Sequence, residues 1–406
     1  MSDINLFCNL IGVKIVNYKF LIMRYYQLKN DIKSNKREFV VSNILGLKNA
    51  VKEIVPKKSL DKNLLIATWN IRDFDSNKFG HGPRLNESYF YIAQIISEFD
   101  LIAVQEVNKN LKALYKLIYI LGDKWDYITT DATSGTSGNQ ERMTFIYDTR
   151  RVSFKNVAGE VVLPKTSLIQ GDIQFARTPF MVSFQSGWTK FSLCTVHIYF
   201  GADSGAKLIR RQNEIEGIAK FLKKKADSDK ETLMVLGDFN IVDHEHKTME
   251  ALLDNGFKIP EQIRKKPVGT NTFQTKYYDQ IGVRSKSGFF QLGEEDNSAG
   301  AFNFYQHIFR ENQFEDYKTE VVKTLIKQLK NKEKELVKMQ NKPTPNNEDI
   351  YKLNTAITDL KAMLLDDVQL FEYYYKVWKT FQISDHLPMW VEIKVDHSET
   401  YLKGIY

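Results

Sequence analysis

Leu101-Ile102-Ala103-Val104-Gln105-Glu106 starts as a buried strand and ends on two polar groups. Four apolar residues in a row, two of them β-branched, suit a strand covered on both faces. The same construction recurs along the chain. Leu65-Ile66-Ala67-Thr68-Trp69-Asn70 ends on Asn, and Leu193-Cys194-Thr195-Val196-His197 ends on His. Met234-Val235-Leu236-Gly237-Asp238-Phe239-Asn240 ends on Asp and Asn, and Ser384-Asp385-His386 precedes a last apolar run. One polar strand end is commonplace. Five of them, all drawn from Asn, Asp, Glu and His, point to one convergent site at one edge of the sheets.

Working outward, Met143–Tyr147, Phe180–Phe184, Tyr278–Val283 and Met389–Val395 also read as strands bounded by polar or turn-forming residues. Helical spacing occupies Glu87–Glu98, Asn110–Leu121 and Arg210–Lys224. Many strands with few helices predict an α+β fold of two packed β-sheets flanked by helices. Two segments stand apart. Residues 1–60 read as a basic N-terminal extension with one amphipathic helix, whose apolar positions Ile44, Leu47, Val51 and Val55 stop at Pro56. Residues 317–380 read as an inserted antiparallel helical hairpin with coiled-coil spacing. Val322, Leu325, Leu329, Leu336 and Met339 face Ile350, Leu353, Ile357, Leu360 and Leu364 across a turn holding Pro343 and Pro345. The sheet domain then takes 61–316 and 381–406.

The chain has 406 residues, 57 Lys and Arg against 50 Asp and Glu, and a formal charge of +7. At 43% apolar and 26% charged it has a globular composition, which excludes wholesale disorder. No uninterrupted apolar run reaches about 20 residues, so neither a transmembrane helix nor a membrane partner is expected. Leu10–Met23 lacks the basic start and cleavage site of a secretory signal. Two cysteines, Cys8 and Cys194, exclude a disulfide framework and point to a reducing, cytoplasmic setting. The positive charge is concentrated. Residues 1–60 carry a net +7 and residues 318–342 a net +5, which leaves −5 for the rest. An acidic middle with basic additions fits a metal centre that handles a polyanion.

Residue types narrow the chemistry. Glu106, Asp238 and Asp385 offer hard oxygens suited to Mg²⁺, Mn²⁺ or Ca²⁺ and poor for zinc. Asn70 and Asn240 can ligate, or donate amide hydrogens to an anionic oxygen. Two histidines, His197 and His386, supply an acid and a base. Together these are the equipment of phosphodiester hydrolysis. No Gly-rich phosphate loop is present, which speaks against nucleoside-triphosphate machinery. His244 and His246 read as a solvated loop, and Cys194 as a small buried apolar residue.

Taken in order, the motifs resemble those of the endonuclease/exonuclease/phosphatase superfamily, and within it the DNase I-like branch. They are Thr68–Ile71, Asp100–Val107, Glu141–Tyr147, Arg177–Phe180, Val196–His197, Gly237–Asn240, Tyr278–Ile281, Ala301–Phe304 and Ser384–Pro388. The resemblance implies a four-layer α/β sandwich and a role at each position. Glu106 would be the main metal ligand, with Asn70, Asp238 and Asp385. His197 and His386 would be the acid–base pair, oriented by Glu141 and Asp279. Asp238 and Asn240 would also act on phosphate and water, and Arg142, Arg177, Asn70 and Asn240 would grip the substrate. Where that branch probes the minor groove with an arginine and a tyrosine, this chain has Asn108 and Asn139.

The resulting expectation is a Mg²⁺- or Mn²⁺-dependent endonuclease acting on double-stranded DNA, with basic additions that clamp the backbone. Two alternatives stay within the superfamily: hydrolysis of RNA, or of inositol phosphates and lipid head-groups. Against the latter, Tyr277-Tyr278-Asp279-Gln280 stands where the inositol branch carries Trp-Cys-Asp-Arg. A third alternative is a partner-regulated interaction protein, with residues 318–366 as a homodimer or docking surface.

Overall fold

The computed structural model describes residues 23–74, 77–132, 140–170, 173–229, 232–265, 269–285 and 290–405. Cys8 and Asn139 lie outside them. Alternation along β1 (Asn63–Phe74) sets the layers. Leu64 and Ile66 enter one core, while Leu65, Ala67 and Trp69 enter another, because successive strand residues point to opposite faces.

Among the described residues, β1 lies within a seven-stranded sheet. Its path is β10 (Gln291–Leu292), β12 (Met389–Lys394), β1, β2 (Leu101–Asn108), β4 (Glu141–Asp148) and β3 (Trp125–Thr129), with β11 (Ala299–Ala301) also on β12. A second sheet runs β5 (Ser153–Glu160), β6 (Phe180–Ser186), β7 (Thr189–His197), β8 (Leu233–Asp238) and β9 (Asp279–Arg284). β1 and β2 are parallel, as are β7 and β8. The sheets meet face to face. Phe145 of β4 touches Phe180 and Phe184 of β6 at centroid distances of 5.8 and 5.6 Å. Helix α4 (Gly205–Asp229) adds Ile215, Ile218 and Leu222 to this core, each worth roughly 1.5–3 kcal/mol when fully buried. Cys194 is buried there as expected.

The second core covers the outer face of the first sheet. Three helices pack on it: α1 (Arg37–Ile54), α2 (Asn86–Ser97) and α3 (Lys112–Leu121). α1 buries Val40, Ile44, Leu47 and Val51, a stripe at i, i+4, i+7 and i+11. The stretch read as a separate extension therefore contributes, in its described part, to the main core.

α5 (Phe314–Gln340) and α6 (Asn347–Met363) follow, bridged by Lys361 and Glu333 at 3.2 Å. Leu325, Leu353, Ile357 and Leu360 are buried. The base of α5 is continuous with the sheet's core rather than set apart from it. Tyr317 stacks on Phe309 at 4.6 Å and on Tyr374 at 6.1 Å, in the cluster that holds Trp69. The reason is an aromatic run, Phe304, Phe309 and Phe314, that continues through Tyr317 to Tyr374 and Trp378 across the expected boundary at 317. No helix among the described residues is long and apolar enough to cross a membrane.

Candidate active site

Two β-bulges aim the first pair of residues. The β1–β2 register shifts between Asn70 and Phe74, and the β2–β4 register between Val104 and Val107. A bulge turns a side chain out of strict alternation, and Glu106 takes φ 59° there, a strained value for a residue with a Cβ. Glu106 Oε1 accepts from Asn70 Nδ2 at 3.1 Å, and Oε2 accepts from the Asp73 N–H at 2.8 Å. The same Asn70 amide donates to Asp238 Oδ2 at 3.1 Å. One amide thus ties a carboxylate of the first sheet to one of the second. Asn70 Oδ1 is buried, with no hydrogen-bond partner among the described residues.

In the second sheet the register does the positioning. β7 against β8 pairs His197 with Asp238, and β8 against β9 pairs Asp238 with Asp279. Gly237 is required: its φ is 142°, and a Cβ would lie 2.1 Å from the Val196 carbonyl oxygen. The Asn240 N–H donates to Asp238 Oδ1, and its side-chain amide to the Ile198 carbonyl, both at 2.9 Å. His386 comes from the turn before β12. Its N–H donates to Ser384 Oγ at 3.0 Å, and its carbonyl accepts from Trp69 Nε1 at 2.8 Å.

Each histidine has its own carboxylate. His197 Nδ1 lies 3.2 Å from Glu141 Oε2, and His386 Nδ1 lies 2.8 Å from Asp279 Oδ2. Their Nε2 atoms lie 3.5 and 3.7 Å from one oxygen, Asp238 Oδ2. Burial works to raise the Glu141 carboxyl, but His197 and Arg177 beside it hold it down to about 2. Burial works to lower His386, yet Asp279 and Asp238 carry it well above the usual histidine range. Burial, reinforced by Glu141, raises Glu106. A divalent cation against that carboxylate reverses such a shift.

Among the described residues no group of three or more His, Cys, Asp and Glu is disposed to hold a metal. The Glu106 carboxylate is a hard-oxygen donor of the kind that suits Mg²⁺, an ion that keeps several waters and takes one or two carboxylates, and the neighbouring Asn70 Oδ1 has no hydrogen-bond partner among the described residues. Both Asp238 oxygens already accept hydrogen bonds, from Asn240 and Asn70. Asp385 lies 3.4 Å from Arg72, and its charge acts on both Glu106 and His386.

The two expected phosphate-gripping arginines are engaged. Arg177 Nε donates to Glu141 Oε2 at 2.8 Å. Arg142 donates to the Thr130 carbonyl and lies 3.5 Å from Asp131. Both still border one narrow recess with Glu106, Glu141 and His197. Sequence reading missed Arg72 and, though it quoted Ser384 within a motif, gave that serine no role. Arg72, two residues past Asn70 on the same strand, carried the signal of strand alternation. Ser384 Oγ, which donates to the Asn70 carbonyl at 2.6 Å, carried none. His246 is not a free loop residue: it caps the Lys247–Leu253 helix by accepting from the Thr248 N–H at 3.2 Å.

Comparison with known proteins gives this geometry a context. A deoxyribonuclease from Thioalkalivibrio sp. (strain K90mix) is 30% identical over 200 residues, 47% of this chain and 50% of that protein. Over that stretch the chain resembles a deoxyribonuclease. Deoxyribonuclease-1 from Rattus norvegicus is 28% identical over 204 residues, 48% of this chain and 66% of its own length. The chain thus spans between half and two-thirds of these curated relatives. An endonuclease/exonuclease/phosphatase family protein from Bacteroides thetaiotaomicron aligns over 82% of this chain and 98% of its own, with a TM-score of 0.48 and 16% identity. No family model matches the chain.

Proposed function

We propose that this deoxyribonuclease-like chain is a metal-dependent endonuclease that hydrolyses phosphodiester bonds in DNA. The observation that carries the reading is the pair of His–carboxylate dyads facing one carboxylate, with Glu106 one amide away. Similarity to deoxyribonucleases over about half the chain supports DNA as the substrate. Glu106 and Asn70 would hold Mg²⁺ or Mn²⁺, which neutralises charge on the phosphate oxygens. The chain's own residues do the proton work. Asp279 hydrogen-bonds one ring nitrogen of His386 and Glu141 faces that of His197 at 3.2 Å, an arrangement that favours one tautomer and leaves Nε2 facing the centre. His386, held cationic by two carboxylates, gives a proton to the leaving oxygen. His197 takes one from the attacking water. Asn70 and Asn240 orient water and phosphate, and Arg142 and Arg177 contact phosphate from the cleft wall. Buried, unpaired Cys194 fits a reducing, cytoplasmic setting.

The test is supercoiled plasmid with purified protein in Mg²⁺ or Mn²⁺, beside EDTA and His197→Ala controls. Metal-dependent nicking that is lost in both controls supports the proposal. Nicking by His197→Ala at the wild-type rate, or intact plasmid after exposure to folded wild type, rejects it.

A further inference from the structure

The loops leaving the catalytic edge carry groups that hydrolysis does not need. Phe79, between β1 and α2, is 55% exposed, and Phe273, before β9, is 50% exposed. Phe79 is also firmly presented. The Gly80 N–H donates to the Asn77 carbonyl at 3.0 Å, and the Gly82 N–H to Asn77 Oδ1 at 2.8 Å. From α5, Gln328 Nε2 donates to the Gly80 carbonyl at 3.0 Å. His81 Nδ1 meets the Tyr373 hydroxyl at 2.7 Å, and its ring stacks on Phe381 at 4.3 Å. Phe79 leans on the same Phe381 ring at 5.9 Å.

Cations flank this ring and lead to the centre. Lys78 Nζ lies 4.9 Å from the Phe79 centroid and 3.6 Å from Asp73, the residue whose N–H holds Glu106. The Arg72 guanidinium lies 3.9 Å from the Phe381 centroid and 3.4 Å from Asp385. On the far side of Asp385, Thr272 N–H donates to its carbonyl at 2.9 Å, and the next residue, Phe273, leans on Tyr375 at 6.0 Å.

We infer that Phe79 is a stacking platform for an unpaired nucleobase next to the scissile phosphate, with Lys78 and Arg72 on the adjoining backbone phosphates, so that single-stranded DNA is the preferred substrate. This rests on the nuclease reading above and departs from the double-stranded expectation. In a duplex both faces of a base are covered by its neighbours. An exposed phenyl ring stacks at lowest cost on a base that is already out of the stack, whereas wedging into a duplex costs unstacking energy. Phenylalanine offers no hydrogen bond, so the platform tolerates any sequence. Gln328 and Tyr373 make the segment from α5 onward a positioning device: they fix the loop before DNA arrives and so lower the ordering cost of binding.

The experiment is fluorescence anisotropy of labelled (dT)12 and of a hairpin duplex at low salt in EDTA. It compares wild type, Phe79→Ala and Phe79→Trp, with melting curves as a fold control. Phe79→Ala should lose about tenfold or more in affinity for (dT)12, Phe79→Trp should retain it, and the single-strand to duplex affinity ratio should fall in the alanine variant alone. Undiminished (dT)12 binding by Phe79→Ala, equal weakening on both ligands, or failure of wild type to bind (dT)12 overturns the platform. Cleavage of the same oligonucleotides in Mg²⁺ separates the two readings. Wild type that binds (dT)12 through Phe79 but cuts no DNA refutes the nuclease and leaves the platform standing. Wild type that cuts with no need of Phe79 for strand choice refutes the platform alone.

Discussion

Asp279→Asn isolates the His386 dyad while keeping its shape. Asp279 is fully buried, its Oδ2 lies 2.8 Å from His386 Nδ1, and its N–H donates to Thr270 Oγ1 at 3.0 Å. The amide matches the carboxylate in size and removes one negative charge. Two unit charges about 4 Å apart at an effective dielectric near 20 interact by about 4 kcal/mol, and each 1.36 kcal/mol is roughly a decade in rate. Asp238 Oδ2 remains 3.7 Å from His386 Nε2, so part of the stabilisation survives. The expected loss is therefore ~10²–10³-fold in kcat, with KM moved far less. Plasmid nicking measures the rate, and NMR of the imidazole ring reports its proton. In wild type His386 titrates well above the usual histidine range; in the variant it falls back towards it. Linkage gives the sign. A raised folded pKa adds stability below about 6.5 that is lost as pH rises through the folded value. Wild type should therefore lose stability relative to the variant over that rise. A variant with kcat within about threefold of wild type and an unchanged His386 titration would refute the dyad.

Two further predictions probe the scaffold. Burial pushes Lys379 down to about 7, with its Nζ 4.4 Å from the Tyr305 centroid and 3.6 Å from that of Tyr375. A lowered lysine opposes folding where it must be charged, and the penalty fades as pH rises from 7 towards the unfolded value near 10.5. Lys379→Met should then add about 2–4 kcal/mol at pH 7, a gain that shrinks by about pH 9.5 in urea melts; a gap that stays constant with pH contradicts this. Leu325 is fully buried at the base of α5. Leu325→Ala should lose about 2–5 kcal/mol within one cooperative transition. A separate early transition, with the rest of the protein unaffected, would instead describe an autonomous hairpin.

Most of the sheet strands that form both cores were legible because each is a short apolar run closed by turn residues; β3, whose Trp125–Thr129 alternates with polar residues, was not. β5 was not, since most of Ser153–Glu160 is exposed and it shows no apolar run. β11 was too short to stand out at three residues, Ala299–Ala301. The domain boundaries were read too sharply. A change of periodicity marks where an element begins, but which core it joins depends on contacts that periodicity does not encode. Tyr317 and Ile44 share one cluster with Trp69 across very different stretches of chain.

By itself the sequence determined the types of chemistry available: carboxylates, amides and two imidazoles at strand ends, read one residue at a time. Only the tertiary structure decided which groups act on which. Glu141 meets Arg177 across 36 residues of chain, and His386 meets Asp279 across 107. Asn70 bridges two carboxylates that belong to different sheets. Such pairings follow from strand register, from two bulges and from the packing of one sheet on another. Each is a long-range condition that no local stretch of residues can carry.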